Sequence, residues 1–140
     1  MPKADFYLIG KERFRAEPLL LVCELAKRAF EADLPTLVLV RSREEAEALD
    51  DAMWAFDEDA FVPHQIAGEV DDEATPVLIV PPEAAAEDRP LVINLRDSCP
   101  AGAHEMVKEV VAADPAERAD SRRRWREYTA LGYELRKFDM

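Results

Sequence analysis

Glycine is scarce in this chain, with four in 140 residues at positions 10, 68, 102 and 132 and successive members at least 30 residues apart. A dinucleotide fingerprint or a phosphate-cradling P-loop needs glycines within a few positions of one another, so neither can exist here. There is no GxSxG elbow and no HExxH, and the few serines build no persuasive Ser-His-Asp set. Cysteine is almost missing as well: Cys23 and Cys99 stand far apart, without a CxxC or a nearby histidine cluster. Both are expected to be reduced structural thiols, and no cofactor or metal is expected. No apolar run approaches the roughly 20 residues of a membrane span, and the N-terminus lacks the hydrophobic stretch of a secretory signal. A cytoplasmic location and no membrane partner follow as expectations. Basic charge is the last scarcity. Against 30 acidic residues stand 18 basic ones, a net charge of −12, which argues against direct nucleic-acid binding because affinity for phosphate backbones comes from lysines and arginines.

What is present suits one domain over residues 1–140 with a single core. "DFYLIG", "PTLVLV", "TPVLIV" and "PLVINL" are short, near-continuous apolar runs fit for buried strands. Between the first two, Pro18 sits where a first helical turn tolerates it, and Leu19, Val22, Cys23, Ala26 and Phe30 follow on one helical face. After the second, Ser42 and Glu45 have the spacing of a capping box, and Ala46, Leu49, Met53 and Trp54 recur at helical intervals. "PPEAAAEDR" reads as a loop, "AHEMVKEVVAA" as a helix opened by a solvent-facing or capping His104, and Asp114-Pro115 as a break. A last helix then runs to near Gly132, and "YELRKF" is expected to be an edge strand. Apolar strands alternating with amphipathic helices predict an α/β fold, a mostly parallel sheet flanked by helices.

Two stretches stand out. In "DAMWAFDEDAFVPHQIAG", Trp54, Phe61, Val62 and Pro63 crowd together with His64 directly behind. This could be core packing, a docking face for another protein, or the surroundings of a catalytic histidine, although no nucleophile or ligand partner for His64 is evident. The other stretch reverses the charge. Seven of the basic residues but only five of the acidic ones follow Pro115. Arg122, Trp125 and Arg126 fall at i, i+3 and i+4, which places a cationic, aromatic face on one side of the last helix.

The order of "FYLI", "LVCELA", "ALDDAMWAFDEDAFVPHQIAGE", "LVINLR" and "RRRWREYTALGYEL" resembles the chi subunit family of bacterial DNA polymerase III over essentially the whole chain. The most specific part is "LDDAMWAF" followed by "FVPHQIAGE", which is similar to the family's Leu-Asp-x-x-Leu-Trp, Phe-x-Pro-His and Ala-Gly-Glu. The resemblance implies a Rossmann-like fold without a nucleotide loop and a noncatalytic adaptor. It implies a psi-type subunit of the clamp loader docked on Trp54, Phe61, Val62 and Pro63. It further implies that the acidic, phenylalanine-terminated tail of single-stranded DNA-binding protein is held by Arg122, Trp125, Arg126, Tyr128 and Gly132. Asp114 departs from the family's usual apolar residue beside that pocket. Two rivals stay open at the level of sequence: a small enzyme using His64, and a binding module unconnected with replication.

Overall fold

The structure is a computed structural model that describes residues 1–56, 61–102 and 104–140. The chain runs β1 (Lys3–Leu8), α1 (Glu12–Ala16), α2 (Pro18–Glu31), β2 (Thr36–Leu39), α3 (Arg43–Phe56), β3 (His64–Ile66), β4 (Val77–Val80), β5 (Leu91–Asn94), β6 (Met106–Val111), α4 (Pro115–Ala130) and β7 (Glu134–Asp139), with a 3-10 turn at Asp72–Ala74. The strands form one sheet in the order β3-β4-β2-β5-β6-β1-β7. Every neighbouring pair is parallel. The mostly parallel sheet read from the sequence is therefore parallel throughout.

Successive residues on a strand point to opposite faces, and the sheet uses both. On one face Tyr7, Val38, Ile79 and Ile93 pack under Leu21, Val22 and Leu25 of α2 and Ala46, Leu49 and Met53 of α3. On the other, Phe6, Leu37, Leu78 and Val92 meet Tyr128 of α4 and the loop residues Ala84, Ala86 and Cys99. β2, β4 and β5 read as unbroken apolar runs because they are covered on both sides. Pro18 occupies the first turn of α2, as expected. Ser42 Oγ accepts the Glu45 N–H at 3.1 Å. Glu45 Oε1 returns the bond to the Arg41 N–H at 2.9 Å, one residue earlier than in the usual box.

One expected helix is a strand. The run 103–113 contains β6, and His104 is buried ahead of it, its ring nitrogens 2.8 Å from Arg89 O and 3.0 Å from Ala101 O. Lys108 and Glu109, which look like the polar side of a helix, project from β6 in opposite directions. Lys108 stands opposite Asp5, which stands opposite Arg136 in turn. Lys108 Nζ donates to Tyr7 Oη at 2.8 Å, and Arg136 holds both Asp5 oxygens at 2.9 Å. Glu109 points to the α4 side and is buried. Asp114 is a helix start rather than a break: its Oδ1 accepts the Ala116 N–H at 2.9 Å, with Pro115 behind it in the first turn. β7 is the expected edge strand.

Candidate functional site

α4 lies across β1 and β7 and leaves a groove of about 530 Å³. Phe6 and Leu8 of β1 line the groove with Trp125, whose ring is 5.1 Å from that of Phe6. Arg122, Arg126 and Lys137 border it, all exposed, and none has a hydrogen-bond or ion-pair partner among the described residues. Arg118, also on the border, is tethered, donating to Ile9 O at 2.6 Å and to Ala112 O at 3.2 Å. A concavity with an apolar lining and three uncommitted cations suits an anion attached to an apolar group.

The structure brings Arg122, Trp125 and Arg126 together, but Tyr128 and Gly132 play other parts. Tyr128 is 1 % exposed and faces the sheet, donating its hydroxyl to Glu109 Oε2 at 2.6 Å. Gly132, at φ 87°, ends α4. Its N–H meets Thr129 O at 3.1 Å and the next N–H, of Tyr133, meets Tyr128 O at 3.0 Å, a Schellman closure that requires the left-handed conformation. Gly132 thereby turns the chain into β7 and brings Lys137 to the groove.

Sequence reading missed the support beneath α4. Glu109 accepts from Arg124 Nε at 3.0 Å, from Tyr128 Oη and from Asn94 Nδ2 at 2.8 Å. Burial pushes the Glu109 carboxyl up, opposed by Arg124 and by the hydroxyl and amide donors. Burial, and then the charge of Glu109, push the Tyr128 hydroxyl up. Buried Ser121, Arg124 and Tyr128 form the inner side of α4. Fixing them turns Arg122 and Arg126 outward. The only sequence signal was a pair of charges interrupting the apolar run of β6.

The second stretch forms an exposed aromatic pair. Trp54 and Phe61 are 61 % and 52 % exposed, and their rings stack at 4.9 Å and 28°. Val62 turns inward into the core, and Pro63 is half-buried. The acidic residues between the two rings fall at 57–59, outside the described residues. The His64 side chain is fully enclosed, with Nδ1–H donating to Val62 O at 2.7 Å. Its Nε2 lies 3.1 Å from Asp50 Oδ1 and has no hydrogen-bond partner among the described residues. A histidine so enclosed is placed to hold the edge of the sheet.

Open parallel sheets bind ligands in the crevice at their strand carboxyl ends. Here Arg41 crosses that end to Glu117 at 2.9 Å, leaving a hollow of about 290 Å³ lined by Ile9, Val22, Leu95 and Val110 among others. Among the described residues no group of three acidic, histidine or cysteine side chains could hold a metal, and no helix is long and apolar enough to cross a membrane. The fold and these surfaces define a Rossmann-like α/β protein whose carboxyl-end crevice is bridged by its own side chains and whose exposed aromatic and cationic groups lie on its flanks.

A model of the family described as DNA polymerase III chi subunit, HolC, matches residues 1–136. The chain belongs to that family. It is 31% identical over 137 residues to the DNA polymerase III subunit chi of Pseudomonas aeruginosa, covering 96% of this chain and 94% of that protein. To the subunit of the same name from Escherichia coli it is 30% identical over 141 residues, covering 96% of each. The Haemophilus influenzae subunit is 27% identical over 135 residues.

Proposed function

We propose that the chain is a noncatalytic accessory subunit of the replicative polymerase that joins the clamp loader to protein-coated single-stranded DNA. The clamp-loader side is a psi-type partner on the Trp54–Phe61 pair, and the other is the C-terminal tail of single-stranded DNA-binding protein in the α4 groove. The observation that carries the reading is the groove itself: Arg122, Arg126 and Lys137 stand unpaired around Phe6, Leu8 and Trp125 on a molecule whose net charge is −12. An acidic peptide ending in an apolar ring and a free carboxylate matches that chemistry, with guanidinium groups on the carboxylates and the ring against Trp125. For so small a contact the affinity should be on the order of micromolar.

Calorimetric titration tests this. A synthetic peptide of aspartates followed by proline and a terminal phenylalanine should bind the wild type. Binding should weaken tenfold or more, about 1.4 kcal/mol, with Arg122→Glu or with the phenylalanine removed. Equal binding in all three titrations would remove the tail from this groove.

A further inference from the structure

Resting on the docking proposed above for Trp54 and Phe61, we infer that the partner segment covering this pair is cationic, an apolar anchor flanked by lysines and arginines. The negative charge of the chain is not spread evenly. Between Arg43 and Arg89 stand 15 acidic residues, half of the 30 in the chain, and no lysine or arginine. Outside that run 15 acidic residues face all 18 basic ones, so the whole acidic excess lies within it. The run folds into α3 beyond its first residue, β3 and β4. β3 and β4 are the two strands at the end of the sheet where the aromatic pair is exposed.

Helical spacing brings this charge to the pair itself. Glu47, Asp50 and Asp51 precede Trp54 by seven, four and three positions and so share its side of α3. Glu47 and Asp51 are exposed, and their side chains have no hydrogen-bond or ion-pair partner among the described residues. Asp50 lies 3.1 Å from the enclosed His64, whose ring is 5.3 Å from that of Trp54 and 6.0 Å from that of Phe61. The pair thus stands on a fixed ring. The neighbouring α2 carries Glu24 and Glu31 against Lys27 and Arg28 and does not offset the charge.

That charge separates the possible occupants. A second copy docking through the same pair would bring its own Glu47 and Asp51 against these, and like charges so placed are costly. The acidic tail fitted to the α4 groove also ends in an aromatic ring, but its carboxylates are repelled here. The two apolar sites of the molecule therefore sort their ligands by sign. A segment with cations around an apolar side chain meets both features at once, its anchor on the stacked rings and its lysines or arginines beside Glu47, Asp50 and Asp51.

Fluorescence titration of the full chain, with Trp54 left as the sole tryptophan by Trp125→Phe, tests the inference. The probe is a synthetic peptide with leucines along one helical side and lysines on the other. Beside it run a version with glutamate for every lysine and a scrambled lysine version without the apolar side. The lysine peptide should shift the Trp54 emission, weaken as salt rises, and bind about tenfold or more weaker to the Glu47→Lys, Asp51→Lys double variant. Absence of any shift overturns the inference, as does equal binding of the glutamate or scrambled peptide, or of the lysine peptide to the double variant. An emission shift on raising protein concentration alone assigns the pair to a second copy and overturns it too. Capture of a clamp loader carrying its psi-type subunit tells this apart from the docking beneath it. Capture lost with Trp54→Ala but undiminished with the double variant leaves the docking standing and removes the cationic partner. Capture undiminished with Trp54→Ala removes both.

Discussion

Arg122, Arg123 and Arg124 are adjacent in sequence and have three different fates. Arg124 is 5 % exposed and paired with the fully buried Glu109. Replacing it by Ala strands a carboxylate in the interior, and urea denaturation should record a loss of about 3–5 kcal/mol. Arg123 pairs with Glu127 at 3.4 Å with both side chains nearly half exposed, so Arg123→Ala should cost less than about 1 kcal/mol. Arg122 has no partner among the described residues, and its replacement should touch the peptide and leave stability alone. Helical spacing assigned Arg122, Trp125 and Arg126 to one face correctly. It could not tell Arg124 from its neighbours, because what separates them is a carboxylate 15 residues away on another element. Tyr128 shared the same ambiguity: an aromatic near a cationic face serves equally well as lining or as support, and only Glu109 decides. At the aromatic pair, Trp54→Ala should weaken capture of a psi-type partner by about 2 kcal/mol with an unchanged circular dichroism spectrum, since the ring is mostly outside the core.

A thiol gives the pH dependence at this scale. Burial pushes the Cys23 thiol from an ordinary 9.0 up to about 12. The native state prefers the protonated form, so this contribution to stability is complete below pH 9 and is lost as pH rises towards 12. The urea midpoint should fall across that window, less steeply in Cys23→Ala once compared with its own value at pH 8. Cys23 should also resist thiol reagents until the protein unfolds.

Among elements, α4 depends on its two ends. Asp114→Ala removes the side-chain acceptor at the start and should cost about 1 kcal/mol. Gly132→Ala should cost about 1–2 kcal/mol through the left-handed backbone alone, because an added Cβ would meet nothing within 4 Å. Thermal unfolding checks both. Asp114 caps α4 through the Ala116 N–H. β2, β4 and β5 were legible because two-sided burial writes an uninterrupted apolar run. β6 was not: Met106, Val107, Val110 and Val111 satisfy helical and strand spacing alike, and Lys108 and Glu109 look solvated until their partners on β1, β5 and α4 are in place. Local sequence held no way to choose, since both compensating interactions come from distant chain.

For the whole molecule, charge decides what may approach. With 30 acidic and 18 basic residues, a labelled single-stranded oligonucleotide should show no anisotropy change with the isolated chain near physiological salt. The tail peptide should bind, and should weaken as salt shortens the screening length to about 8 Å or less. Fluorescence titrations at stepped salt separate the two expectations.

The strand order has a consequence for traffic between the two proposed partners. The aromatic pair is next to α3 and β3 at one end of the sheet, and the α4 groove is beside β1 and β7 at the other, on the opposite face. At about 4.8 Å per strand the ends are roughly 24–29 Å apart. Ligands so placed do not collide and share no side chain, so their binding energies should add to within about 0.5 kcal/mol. The seven strands then act as a stiff spacer. Anchoring one end sets the local concentration at which the other end searches, so a tail of merely micromolar grip suffices when many copies of it line a coated strand, and letting go of one leaves the next within reach.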